Sequence, residues 1–351
     1  MQVFNCEACG HLIYFESLQC VHCGAPQAFL ADQLRVGVLA SGTASAGALR
    51  YRACAHRHDI SLCNFAVAAD DPDPLCVSCR QTEWLPDASN PANELRWAKI
   101  EVAKRRLYYT LARLGLLDPL GHGAAEPRFA LLADIPGAAP VMTGHASGMI
   151  TLNVVEADDD ERARRRQALH EPYRTLIGHL RHESGHFYWD QLIANSAWLE
   201  PFRALFGYEG QDYGQALQRH YDRDTLDTGW REGFISAYAM AHPWEDWAET
   251  WAHYLHMVDL LETAASYATC ITVPDIPGHG QQLIRDPFGS PAADFSVMQA
   301  QWVPLTLLHN SLNRSLGHGD AYPFTISAMA WNKLRFVHEV VNARRQQRAS
   351  G

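Results

Sequence analysis

The sequence predicts an α+β protein: a predominantly helical core with a small β-sheet, preceded by a small cysteine-rich module. Three observations predict it. Eight of the nine cysteines fall between Cys6 and Cys79. From about Asn93 onward, apolar residues recur at helical spacing over long segments. Only the stretch 128–157 holds β-branched runs bounded by turn residues.

Composition bounds the reading further. The chain has 351 residues, enough for a large core plus a small module. An apolar content of 47% with 19% charged residues is globular. A net charge of −10 disfavours a general nucleic-acid role, although a local basic patch is compatible with it. There is no run of 18 apolar residues, so no transmembrane helix and no membrane partner is expected. The opening MQVFNCEACG lacks the basic and apolar regions of a secretory signal. The expectation is a cytoplasmic protein. In the cytosol thiols stay reduced, so crowded cysteines read as metal thiolates.

The elements follow in chain order. Residues 1–85 form the cysteine module. Cys6-x-x-Cys9 and Cys20-x-x-Cys23 are two knuckles ten residues apart, and together they complete a tetrahedral zinc site. Gly10 and Gly24 follow the second cysteine of each, where the turn needs positive φ. Cys54, Cys63, Cys76 and Cys79 give a second four-cysteine site, with His56 and His58 as alternatives for one thiolate. Both sites are closed, hence structural, and they fold a core-poor segment. Docking a protein partner or the substrate is the module's candidate further role.

LPDASNP (85–91) reads as a linker or helix lead-in, and the second domain spans 92–351. ELRWAKIEVAKRRLYYTLARLGLL (94–117) is a helix stopped by Asp118, Pro119 and Gly121. RFALLAD and GMITLNVVEA are strands, the second a candidate edge for an extended peptide. DDDERARRR (158–166) is a solvated loop and helix start. Residues 170–199 read as one long helix with Pro172 in its first turn, and 211–221, 230–240 and 244–268 as further helices. Two more helical segments flank the polar loop NRSLGHGDAYPF.

The chemistry centres on RHESGHFYWD (181–190). In a chain with 18 histidines an H-E-x-x-H match is weak by itself. Its place on a helix strengthens it. His182 and His186 stand at i and i+4, on one face, where both imidazoles can reach one ion. Glu183 can lean toward the open coordination position and act as general base on the water there. Gly185 allows close approach of another helix. The third ligand cannot come from an H-E-x-x-H-x-x-G-x-x-H pattern, because Trp189 and Leu192 occupy those positions. HPWEDWAETWAHYLH (242–256) offers Glu245 and Glu249, again i and i+4, on an otherwise apolar helix where carboxylates need a positive partner.

HESGHFYWD followed by SAYAMAHPWEDWAETWAHYLH resembles the bacterial zinc-binding metallopeptidases that carry an N-terminal zinc ribbon, and the resemblance runs over most of the chain. More distantly it is similar to the gluzincins, the thermolysin-like and lethal-factor-like peptidases. The resemblance implies a zincin-like metallopeptidase core behind a double zinc-ribbon module. It implies His182, His186 and Glu245 as ligands, Glu183 as base, and Glu249 orienting a ligand histidine. It also implies a catalytic tyrosine seven residues before the ligand glutamate, here Tyr238. The leading expectation is therefore a zinc metallopeptidase acting on a peptide or protein, with one catalytic and two structural zinc ions. The alternatives are a zincin-type amidohydrolase, a processing enzyme for one partner, and an inactive zinc-ribbon adaptor. Glu183 argues against the last, since a purely structural site has no use for a base.

Overall fold

Gly10 and Gly24 both take the left-handed conformation, each with φ of 74°. Each closes a knuckle turn whose backbone N–H bonds back to the first cysteine, Gly10 to Cys6 and Gly24 to Cys20. These turns open the chain in the computed structural model, which describes residues 1–39, 43–46, 49–60, 62–118, 125–168, 174–223, 228–272 and 280–350. Pro119, Gly121 and Pro172, read above as helix punctuation, lie outside them. The fold is α+β, helices with several small sheets. The chain forms two compact units, Met1–Arg162 and Ala163–Gly351.

In the first unit short antiparallel pairs carry the cysteines. Phe4–Asn5 pairs with Leu12–Ile13, Gln27–Leu30 with Arg35–Val38, and Thr43–Ala46, Leu49–Ala53 and Ala66–Ala68 form a three-stranded sheet. Phe15, Phe29, Phe65, Tyr108 and Tyr109 interlock edge-on and tilted, with centroids 4.9–5.9 Å apart. Such packing joins both cysteine segments to the helix Pro91–Arg113. That helix starts where LPDASNP suggested: Asn90 caps it, accepting from Ala92 N–H, and Pro91 takes the first position. It ends at Arg113, before the predicted 117, because Gly115 turns left-handed (φ 72°).

A four-stranded sheet has the order Gly144–Ala146, Met149–Asn153, Arg128–Leu132, Thr82–Trp84. The first pairing is antiparallel and the other two parallel. Met149–Asn153 is thus covered on both sides and is no edge for a peptide; Gly144–Ala146 is. The strand also ends at Asn153, whose side chain accepts from Val155 N–H and starts a 3-10 turn over Val154–Ala157. The charge run is helical from its second residue, Asp159–Ala168, with three acids in its first turn and arginines in its last, as the helix dipole favours. Thr82–Trp84 and Pro91–Arg113, on either side of the 85–91 stretch, pack within the same unit.

The second unit is mainly helical. The helix predicted over 170–199 ends at Leu192, as Leu176–Leu192, and a separate helix, Leu199–Phe206, follows it. The break follows from Ser196, whose hydroxyl bonds back to the carbonyls of Leu192 and Ile193 and accepts from Trp198 N–H. Tyr213–Tyr221 follows, capped by Asp212. The 230–240 stretch holds only two 3-10 turns, Gly229–Glu232 and Tyr238–Ala241, since Gly229 and Gly233 are poor helix formers. The helix Pro243–Ser266 is the centre of the unit, with Trp247 and Trp251 fully buried. Phe295–Ser315 and Ala328–Ser350 complete it. Among the described residues no helix is long and apolar enough to cross a membrane.

Candidate metal sites

Three clusters of metal-ligating side chains occur among the described residues: Cys6, Cys9, Cys20, Cys23; Cys54, Cys63, Cys76, Cys79; and His182, His186, Glu245. In the first, Cys6 and Cys23 sulfurs are 3.7 Å apart, as are those of Cys9 and Cys20. In the second, three sulfur pairs lie 3.7–3.8 Å apart. A disulfide needs about 2.05 Å. A tetrahedron with zinc–sulfur bonds of about 2.3 Å has edges of about 3.8 Å. The sulfurs are therefore spaced as zinc ligands. His56 and His58 are not in the second cluster, so its fourth ligand is a cysteine. Surrounding N–H groups support the thiolates: Gln27 Nε2 donates to Cys6 Sγ, Cys76 N–H to Cys54, and Cys79 N–H to Cys76. The second cluster is wholly buried, whereas Cys9 and Cys23 of the first are exposed.

The third cluster is built by two packed helices. Thr175 starts Leu176–Leu192 by accepting from Gly178 N–H, and His242 Nδ1 starts Pro243–Ser266 by accepting from Trp244 N–H. They approach closely because Gly185 presents no side chain. A Cβ there would sit 2.9 Å from Ala248 Cα. Trp247 and Trp251 lock the seam, donating their indole N–H groups to Gly185 O (2.9 Å) and Ser184 Oγ (3.1 Å). The i, i+4 pairs then face each other. His182 Nε2 lies 3.0 Å and His186 Nε2 3.5 Å from Glu245 Oε2. Ligands around zinc at about 2.0–2.1 Å stand roughly 3.3 Å apart, so these three donor atoms fit such an ion. Glu245 Oε2 is buried with the two imidazole nitrogens as its neighbours, a costly place for a carboxylate charge that a cation between the three would relieve.

Glu249 lies one turn on, 2.7 Å from His182 Nδ1. It accepts that N–H and leaves Nε2 with its lone pair free for an ion. Ser236 holds the other Glu249 oxygen, donating its hydroxyl to Oε2 at 2.7 Å. Burial disfavours the charged form of His182, but hydrogen bonds to Glu245 and Glu249 outweigh it and hold the pKa well above the ordinary value. Burial likewise opposes ionisation of Glu245, and the charge of His186 with the bond to His182 outweighs it, so that its pKa is well below normal. Glu183 is buried beside the cluster; Oε1 lies 3.5 Å from His179 Nε2 and Oε2 has no hydrogen-bond partner.

The Tyr238 ring centroid is 5.9 Å from that of His182, so this tyrosine borders the histidine pair. Burial and the neighbouring Glu245 charge raise its pKa, which keeps the phenol protonated. Sequence reasoning missed Tyr213, which donates its O–H to Glu245 Oε1 at 2.5 Å, together with Ser236 and His179. His179 was within reach of sequence, standing four residues before Glu183 on the same helix. Trp244, whose ring lies 3.9 Å from that of His186, flanks the cluster. His253 and His256 point elsewhere, His253 to Tyr322 and His256 to Arg181.

Comparison with known proteins also points to zinc binding. The family model described as "Putative zinc-binding metallo-peptidase" matches residues 93–340. A zinc-ribbon domain model matches residues 3–90. Uncharacterized proteins of Mycobacterium bovis and of two strains of Mycobacterium tuberculosis are each 40% identical over 347 residues, 97% of this chain and 96% of theirs. No solved structure matches.

Proposed function

Because this chain belongs to the zinc-binding metallo-peptidase family whose model covers residues 93–340, we propose that it hydrolyses peptide bonds at the His182, His186 and Glu245 centre. The observation that carries the reading is Glu183. A buried carboxylate oxygen without a partner stands beside a three-donor cluster, where a structural metal site needs no such group. A zinc ion held by His182 Nε2, His186 Nε2 and Glu245 Oε2 would supply Lewis acidity, acidifying water and polarising the scissile carbonyl.

The other tasks belong to the chain's own side chains. Glu183 takes a proton from the attacking water at Oε2 and gives it to the leaving amine. His179 Nε2, beside Oε1, orients that carboxylate. Glu249 and Ser236 fix the tautomer and ring plane of His182. Tyr238, held protonated, donates its O–H to the oxyanion as the carbonyl becomes tetrahedral. The two four-cysteine sites hold structural zinc, three ions per chain in all, and the ribbon module docks the substrate or a protein partner. The working compartment is the cytoplasm.

Glu183→Gln tests the reading on a peptide-library digest with metal analysis alongside. The variant should keep all its zinc, because Glu183 is not a donor, and lose about 10²–10⁴-fold in hydrolysis. Cleavage at the wild-type rate would sink the mechanism.

A further inference from the structure

We infer that Tyr213 is a positioning residue for the metal centre: its phenolic O–H holds Glu245 Oε1, so that the carboxylate presents Oε2 alone to an ion between the two histidines. The inference rests on the site assignment made under Proposed function. It adds a residue from a separate helix, one that would keep a coordination position open to water or substrate.

A glutamate can bind zinc through one oxygen or two. With both oxygens engaged, the position needed by water or substrate is filled or displaced. Nothing in the motif itself selects between these modes. The structure does. Oε2 lies toward His182 and His186, at 3.0 and 3.5 Å, and Oε1 is turned to the Tyr213 hydroxyl at 2.5 Å. A phenol donating to a carboxylate at that distance makes a charge-assisted hydrogen bond, about twice as strong as a neutral one. Glu245 is 1% exposed, so water does not compete for Oε1.

The bond is built from both ends. Asp212 accepts from Gln215 N–H and fixes Tyr213 as the first residue of Tyr213–Tyr221. Glu245 sits in the first turn of Pro243–Ser266, capped by His242. The Tyr213 ring packs edge-on to His242 and Trp244, with centroids 5.4 and 5.9 Å away. His242 Nε2 also approaches Gln211 O at 3.4 Å, tying the two helix starts together.

Tyr213→Phe removes the donor and keeps the ring contacts. The measurement is zinc affinity of the His/Glu centre in the full chain, by competition with a chelator, with the four-cysteine zinc as internal reference. Cobalt(II) exchanged into that centre reports coordination through its visible absorption. The variant should bind zinc about 10–100-fold more weakly at this centre alone. Its cobalt spectrum should weaken as Oε1 joins the metal and coordination rises. Wild-type affinity with an unchanged cobalt spectrum, while Glu245→Ala loses the ion, would overturn the role of Tyr213. Retention of the ion by Glu245→Ala would instead overturn the site assignment, and the inference with it.

Discussion

His253 shows how single side chains set the tolerance of the site to acid. It stands one turn beyond Glu249, buried, with Nδ1 2.7 Å from the Tyr322 hydroxyl and the Phe324 ring edge-on at 4.5 Å. Burial pulls its pKa from 6.5 to about 4. The folded state keeps this imidazole neutral, while the unfolded chain binds a proton below about 6.5. The stability it contributes is complete above that value and is lost as pH falls toward 4. Between pH 7 and pH 5 the loss is about 2 kcal/mol by linkage. His253→Gln keeps a partner for Tyr322 and removes the titration. Urea midpoints of the two proteins at pH 7 and pH 5 should show a smaller drop for the variant. Equal drops would exclude His253 as a source of the acid sensitivity. Metal loss on acidification is common to both proteins and cancels in the comparison.

At this scale the sequence was informative where function follows spacing. That His182 and His186 meet Glu245 and Glu249 is legible because the helix period puts each pair on one face. Tyr213 and Ser236 are not. They reach the centre from segments 32 and 13 residues before the glutamates they hold, and no periodicity links the members of either pair.

Among elements, the seam between Leu176–Leu192 and Pro243–Ser266 matters most. Gly185 is the reason the two helices can bring three donors together. Gly185→Ala would place a methyl 2.9 Å from Ala248 Cα, 3.2 Å from Trp251 Cδ1 and 3.3 Å from Ala248 Cβ. Backbone and a fully buried indole cannot give way cheaply, so the helices must separate. The expected cost is about 1–3 kcal/mol of stability, with weaker zinc binding because the ligands sit on opposite sides of the seam. Thermal melts and chelator competition check both; a variant with wild-type melting and wild-type affinity would show that the contact is soft. Helix interiors were readable from apolar spacing. Their ends were less so, because hydroxyls and glycines such as Ser196 and Gly115 end a helix through local bonds and turns that leave the apolar pattern undisturbed.

For the whole molecule, the prediction concerns metal content. Three clusters with ligand spacings suited to zinc predict three ions per chain purified without added metal. Replacing Cys6 and Cys9 together by Ser should lower the count to two and leave the His/Glu centre loaded, since its ligands lie in the other compact unit. A wild-type count near one, by elemental analysis, would refute the thiolate assignment. The cysteine sites were legible because knuckle spacing is a local rule. The sheet order was not, because its parallel pairings join segments far apart in the chain, from Thr82–Trp84 to Arg128–Leu132.

That last pairing bears on any attempt to separate the two halves of the gene product. A chain begun after residue 90 would keep every ligand of the His/Glu centre and forfeit Thr82–Trp84. Arg128–Leu132, with its buried Phe-Ala-Leu run, would then show a naked flank of unpaired N–H and C=O groups. Such a flank recruits other extended chains, a second copy included. The shortened protein's first failing would be clumping in the tube, with its His/Glu centre still intact.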